Sequence, residues 1–117
     1  MAYVDGFVIP IPKKNLAAYR RMARQGCKVW LEHGALDYYE CVGDDLVIPM
    51  QFQGFGKMAK LKKNETVIFA WIVYRTKAHR DRVNAKVMKD ARMVVPPTMP
   101  FDHTRMAFGG FKVIVKA

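Results

Sequence analysis

Apolar residues fill both alternating sets of the stretch Thr66 to Tyr74, TVIFAWIVY: Val67, Phe69, Trp71 and Val73 on one, Ile68, Ala70, Ile72 and Tyr74 on the other. A strand apolar on both sides belongs in the middle of a sheet whose two faces are both covered. Its β-branched and aromatic content favours extended backbone, and nine residues are too few to cross a bilayer as a helix.

The other elements follow from the same kind of pattern. Tyr3 to Ile11 alternates, with Tyr3, Asp5, Phe7 and Ile9 on one face and Val4, Gly6 and Val8 on the other, and Pro10 and Pro12 close it. Lys13 to His33 places Leu16, Tyr19, Ala23, Cys27 and Trp30 at helical spacing, leaves Arg20, Arg21, Arg24 and Lys28 on an outer face, and stops at Gly34. Asp37 to Val42 reads as a short strand ended by Gly43-Asp44-Asp45. Leu46 to Asn64, with Pro49, Gly54 and Gly56, reads as an ordered excursion or flap. After the central strand, Thr76 is placed to cap a helix over Lys77 to Ala91, with Val83, Val87 and Met88 inward. Met93 to Arg105 holds Pro96, Pro97 and Pro100 and is no single regular element. Phe108 to Lys116 reads as a last strand, with Phe111, Val113 and Val115 facing a core and Gly109-Gly110 marking a bulge or close approach.

The order β-α-β-β-α-β predicts an α+β fold: a ferredoxin-like plait, an antiparallel sheet with two helices on one face, spanning residues 1–117 as one domain. Because the central strand is apolar on both sides, the helix-free face needs a cover, most simply the sheet of a second copy, so a homodimer is expected. At 117 residues and 51% apolar content the chain buries roughly 65% of its unfolded surface without a staple. Cys27 and Cys41 stand alone, outside any CxxC pattern, and read as small buried hydrophobes. The N-terminus MAYVDGFVIP has no signal-peptide pattern, and the expectation is a reduced, cytoplasmic protein that does not enter the membrane.

The net charge of +10 is unevenly spread. Val29 to Gly56 contains no lysine or arginine but five of the ten acids, Glu32, Asp37, Glu40, Asp44 and Asp45, so an acidic band lies between two basic ones. Such a pattern suits acidic-to-basic contact between subunits or an anionic partner.

The runs YVDGFVIPIP (Tyr3 to Pro12), KVWLEHGALDYYECVGDD (Lys28 to Asp45), TVIFAWIVYRTKAHRDRVNAKVM (Thr66 to Met88) and MPFDHTRMAFGGFK (Met99 to Lys112) together cover over half the chain. On these residues the chain resembles the YbaA-like family of uncharacterised bacterial proteins, a domain-of-unknown-function family of the dimeric α/β-barrel, ferredoxin-like superfamily. The resemblance implies the plait and the dimer and carries over no catalytic residue. Some relatives carry a name linking them to signal-recognition-particle RNA.

Three sites are open to chemistry. The plait brings His33 and His79 to one end of the molecule, where they could move protons or, with Asp81 or Glu32, bind a metal, although no recognised metal spacing is present and no metal or cofactor is expected. His103 falls at the other end. The bland alternative gives each histidine one structural hydrogen bond. The second site is a cavity on the helix-free face, lined by Asp5, Glu40 and either Phe69 with Trp71 or Ile72 with Tyr74. There a carboxylate would serve as acid or base for a small, largely apolar ligand, by analogy with cofactor-independent monooxygenases and isomerases of the superfamily. The alternative makes Asp5 a structural hydrogen-bonding group. The third is anionic: Arg80, Arg82 and the amide end of the second helix for a small phosphate or carboxylate, or the basic surface for RNA. An RNA-recognition signature is absent from the central strand. P-loop, Rossmann and nucleophile-elbow patterns are absent too.

Overall fold

A computed structural model describes all 117 residues. The fold is α+β, built on one four-stranded antiparallel sheet. Strands β1 (Tyr3–Pro12), β2 (Asp37–Val42), β3 (Glu65–Tyr74) and β4 (Ala107–Lys112) lie in the order β2-β3-β1-β4. Helix α1 (Leu16–Glu32) follows a 3-10 turn at Lys13–Asn15, α2 (Phe55–Met58) is a single turn, and α3 (Lys77–Met88) follows β3.

Cross-strand register fixes which side chains share a face, because directly paired residues point the same way. Tyr3, Asp5, Phe7, Ile9 and Ile11 of β1 pair with Tyr74, Ile72, Ala70, Ile68 and Thr66 of β3. This is the helix side. The core forms there in two parts: Ile9, Ile11, Ile68 and Ala70 pack on Tyr19 and Ala23 of α1, while Ile72 and Tyr74 pack on Val29, Val83 and Val87. The long helices therefore both cover one face.

The central strand lies inside the sheet as its sequence requires, and Thr76 caps α3 by accepting a hydrogen bond from the His79 N–H at 3.0 Å. Pro10 and Pro12 are tolerated because β4 pairs with β1 only from Tyr3 to Val8, so their missing N–H groups leave no gap in a second ladder. Gly34 has φ +114, the left-handed conformation that ends α1 without a Cβ penalty.

Several expectations are corrected. On α1 the inward stripe runs through Tyr19, Ala23, Gly26 and Val29, and Cys27 is only half-buried, as is Cys41. Gly26 has no side chain, so α1 comes close enough to the sheet for the Tyr38 hydroxyl to lie 3.1 Å from where a Cβ would stand, and Gly26 joins the packed stripe. Met88 is exposed, and α3 ends there rather than at Ala91 because Asp90 turns back to accept from Arg92. The excursion 46–64 contains the one-turn α2, a helix absent from the sequence reading. The last strand stops at Lys112. Val115 and Ile114 are exposed because β1 ends at Tyr3 and offers no ladder beyond it, whereas Phe111 pairs with Val4 and so lies on the helix-free face. At Gly109-Gly110 the register is unbroken, so the pair is not a bulge. Gly110 is instead a close approach, with a Cβ there falling 2.7 Å from a ring carbon of Tyr3.

Candidate functional site

Between the helix side of the sheet, α1 and residues 93–106 lies an apolar pocket of about 270 Å³. Phe7, Ile9, Ala70 and Ile72 form its floor, Met22 and Trp30 of α1 one wall, and Met93, Met99, Phe101 and Met106 the other. The segment forming that second wall is fastened at both ends. At one end Asp90 accepts from His33 Nε2 at 2.8 Å and pairs with Arg92, which also reaches Glu32. At the other, Arg105 donates to both oxygens of Glu65, at 2.7 and 3.0 Å, and to the Lys60 carbonyl. Between them Asn15 holds the Pro100 carbonyl at 2.9 Å, and Phe101 meets Tyr19 edge-on. A proline-rich segment that cannot form a helix thus becomes a strap over the core.

One carboxylate faces this pocket. Glu40 sits opposite Ala70, so β2 directs it to the helix side. Tyr19 donates to Glu40 Oε1 at 2.6 Å and Tyr38 to Oε2 at 2.8 Å. Burial, reinforced by the charge of Glu40, pushes both phenols far above their ordinary value of 10, so they are fixed as donors. Glu40 is accordingly held as a two-oxygen acceptor.

Asp5 also lies on the helix side, and the expectation that Asp5 and Glu40 line a cavity on the helix-free face is corrected: the register pairs them with Ile72 and Ala70. Asp5 belongs to a separate network. Arg80 Nη1 donates to Asp5 Oδ1 at 3.2 Å and Nη2 to the Tyr3 hydroxyl at 3.3 Å, with the guanidinium 4.9 Å above the Tyr3 ring. Asn84 donates to Asp5 Oδ2 and accepts from Trp30 and Tyr74. Arg80 Nε is 3.0 Å from Asp81 Oδ1, but its N–H is not directed at that oxygen and this buried donor lacks a hydrogen bond. The network joins β1, α1, β3 and α3. Arg80 is therefore turned inward while Arg82 is exposed, so the two do not form the expected anion pocket.

His33 and His79 do lie toward one end, and the structure places each on its own partner. His33 meets Asp90, whereas His79 is buried, accepts the Arg75 N–H at Nδ1 (3.0 Å) and packs edge-on against Tyr74. Asp81 and Glu32 are engaged by Arg80 and Arg92. His103 stands in the 3-10 turn at the opposite end. Burial, then Arg75 and Arg82, hold the His79 imidazolium below its ordinary 6.5, and a histidine kept neutral in the fold stabilises above that value and loses its contribution as pH falls below it. Unfolding free energy is expected to decline from pH 6.5 to 5.5, by at most about 1.4 kcal/mol per pH unit from this one group. Asp90 and Glu65, held below their ordinary 3.8 and 4.5 by Arg92 and Arg105, act only at lower pH. Urea titrations of the parent and His79→Gln check this; the decline flattens in the variant, and an unchanged slope would point to another group.

On the helix-free face stand Val4, Gly6 and Val8, Tyr39 and Cys41, Phe69, Trp71 and Val73, and Phe111. Tyr39 stacks on Trp71, which meets Phe69, which meets Phe55 of α2. Of the two sets left open by the sequence, Phe69 with Trp71 belongs to this face and Ile72 with Tyr74 lies beneath the helices. Tyr39 is 51%, Phe69 45% and Phe111 60% exposed, so the face is open in the single chain.

A family model described as Protein of unknown function (DUF1428) matches residues 2–103. The chain belongs to the DUF1428 family. It is 42% identical over 116 residues to the Uncharacterized protein YbaA of Escherichia coli (strain K12), with 98% of each chain covered. Proteins of that name from Escherichia coli O157:H7 and Shigella flexneri match to the same extent. The match supports the resemblance read from the sequence runs. DUF1428 membership brings no reaction with it, and the site is therefore judged on its geometry. The tyrosine clamp on Glu40 and the strap 93–106 escaped the sequence reading. Tyr19 and Tyr38 lie nineteen positions apart on different elements, although a carboxylate directly after Tyr38 and Tyr39 in a short strand is a visible signal.

Proposed function

We propose that this DUF1428 protein is a ferredoxin-like homodimer in which each protomer binds, or transforms, a small and largely apolar ligand in the pocket beneath the strap. The observation that carries the reading is the pocket itself: about 270 Å³ of apolar lining around a single carboxylate, the pattern of a small-molecule site. If the site is catalytic, Glu40 is the proton acceptor, since the phenols of Tyr19 and Tyr38 are locked as donors around it. Asp5 and His79 are structural in this reading.

The plait is supported by the strand order β2-β3-β1-β4 with α1 and α3 on one face. The dimer is supported by the apolar helix-free face, which the exposed ring of Phe55, packed against Phe69, extends. Its strand positions carry no lysine or arginine, which favours a second apolar sheet there over a nucleic-acid backbone. No helix is long and apolar enough to cross a membrane.

Native mass spectrometry of protein freshly purified from its host tests the whole reading. A dimer carrying a reproducible small-molecule adduct is expected. A bare monomer, or a species that holds ribonuclease-sensitive RNA and loses it in high salt, would contradict it.

A further inference from the structure

Among the ten acidic side chains, nine have an evident means of supporting charge. Asp37, Asp44, Asp45 and Asp102 are exposed, and Asp5, Glu32, Glu65, Asp81 and Asp90 lie within ion-pair distance of an arginine or histidine. Glu40 alone is neither exposed nor ion-paired. Arg20, Arg21 and Arg24 border the groove on the far side of Glu40, but none comes within 4.0 Å of its carboxylate and all three are exposed. A partly buried carboxylate without a cation is costly, and two phenol hydrogen bonds offset only part of that cost.

We infer that the pocket beneath the strap selects an organic cation: a primary or substituted ammonium on a compact apolar body, with the ammonium on Glu40. The inference rests on the proposed small-ligand reading and names its ligand class. Each carboxylate oxygen has two lone-pair directions, and one on each is taken by a tyrosine hydroxyl. The remaining two accept N–H donors from an ammonium. Around them, the rings of Phe7, Trp30 and Phe101 and the thioethers of Met22 and Met99 present polarisable surface. Such surface suits the apolar body and, at ring faces, the cation. An anionic ligand would meet Glu40 with no compensating positive group inside the pocket. A neutral one would leave the carboxylate charge unpaired.

The test uses three probes that share one ring: cyclohexylmethylammonium, cyclohexylmethanol and cyclohexanecarboxylate, titrated calorimetrically into the intact protein at pH 7.5. The ammonium is expected to bind at least tenfold more tightly than the alcohol, and the carboxylate more weakly than either. Glu40→Gln is expected to abolish the ammonium's advantage over the alcohol, bringing the two affinities together. Equal binding of ammonium and alcohol by the parent protein would overturn the cation assignment and leave the pocket standing, and so would a uniform loss in the variant. Failure of all three to bind would remove the small-ligand reading as well. The parent comparison needs no variant, so misfolding of Glu40→Gln does not prevent a decision.

Discussion

Replacing Asp5 with alanine is expected to lower the unfolding free energy by about 3–5 kcal/mol, the usual consequence of removing one partner from a buried ion pair. The size of the effect comes from what is left behind. Asp5 is 6% exposed, and without it Arg80 keeps only the Tyr3 hydroxyl and ring as close partners on that side, while its Nε already lacks an aligned acceptor. Asn84 loses the acceptor of its amide N–H at the same time. Asp5→Asn, which keeps an oxygen for Arg80, is expected to cost roughly 1–2 kcal/mol. The double variant Asp5→Ala with Arg80→Met is expected to recover much of the single loss, because no buried charge is then left alone. Denaturant titrations of the parent, Asp5→Asn, the single variants Asp5→Ala and Arg80→Met and their double variant settle the matter; additive costs for Asp5→Ala and Arg80→Met would show that the pair is not coupled as the geometry requires.

Phe69→Glu is expected to convert the proposed dimer to a folded monomer. Phe69 is half-exposed in the single chain, so a carboxylate there is solvated in the monomer, whereas closure of the interface would bury it. A two-fold interface repeats each substitution, and two unpaired charges at about 3 kcal/mol each lower the association constant by roughly four orders of magnitude. Phe108→Glu is the control. Phe108 is also exposed but pairs with Phe7 on the helix side, and its substitution is expected to leave the dimer intact. Light scattering at micromolar concentration reads both variants, and a parent protein that is already monodisperse as a monomer would end the dimer proposal.

What the sequence made legible was local. The two-faced apolar run Thr66 to Tyr74 announced the middle strand, and Thr76 announced the cap of α3, because each signal is complete within a few residues. The alternation of Tyr3, Asp5, Phe7 and Ile9 placed Asp5 with two rings, and register confirms that grouping. Nothing in β1 or β2 alone states which of two faces receives the helices. The expectation of a helix-free site consequently fails for Asp5 and Glu40 together. The last strand was read too long because Phe111, Val113 and Val115 alternate correctly, while the length of the partner β1, which ends the ladder at Tyr3, is a tertiary fact. The strap is legible only as an absence of regular structure. Its anchors, Arg105 on Glu65 and Asp90 on His33, join residues forty and fifty-seven positions apart.

The central claim is that the space beneath the strap admits a small apolar molecule, and the methionines report on it directly. Met22, Met93, Met99 and Met106 line the pocket, whereas Met1, Met50, Met58 and Met88 lie outside it and are exposed. With methyl-13C methionine, titration with cyclohexylmethanol is expected to move the four pocket methyls saturably and together, leaving the four outer ones in place. Shifts confined to Met50 and Met58, or spread evenly over all eight, would contradict the account and move the binding surface away from Glu40.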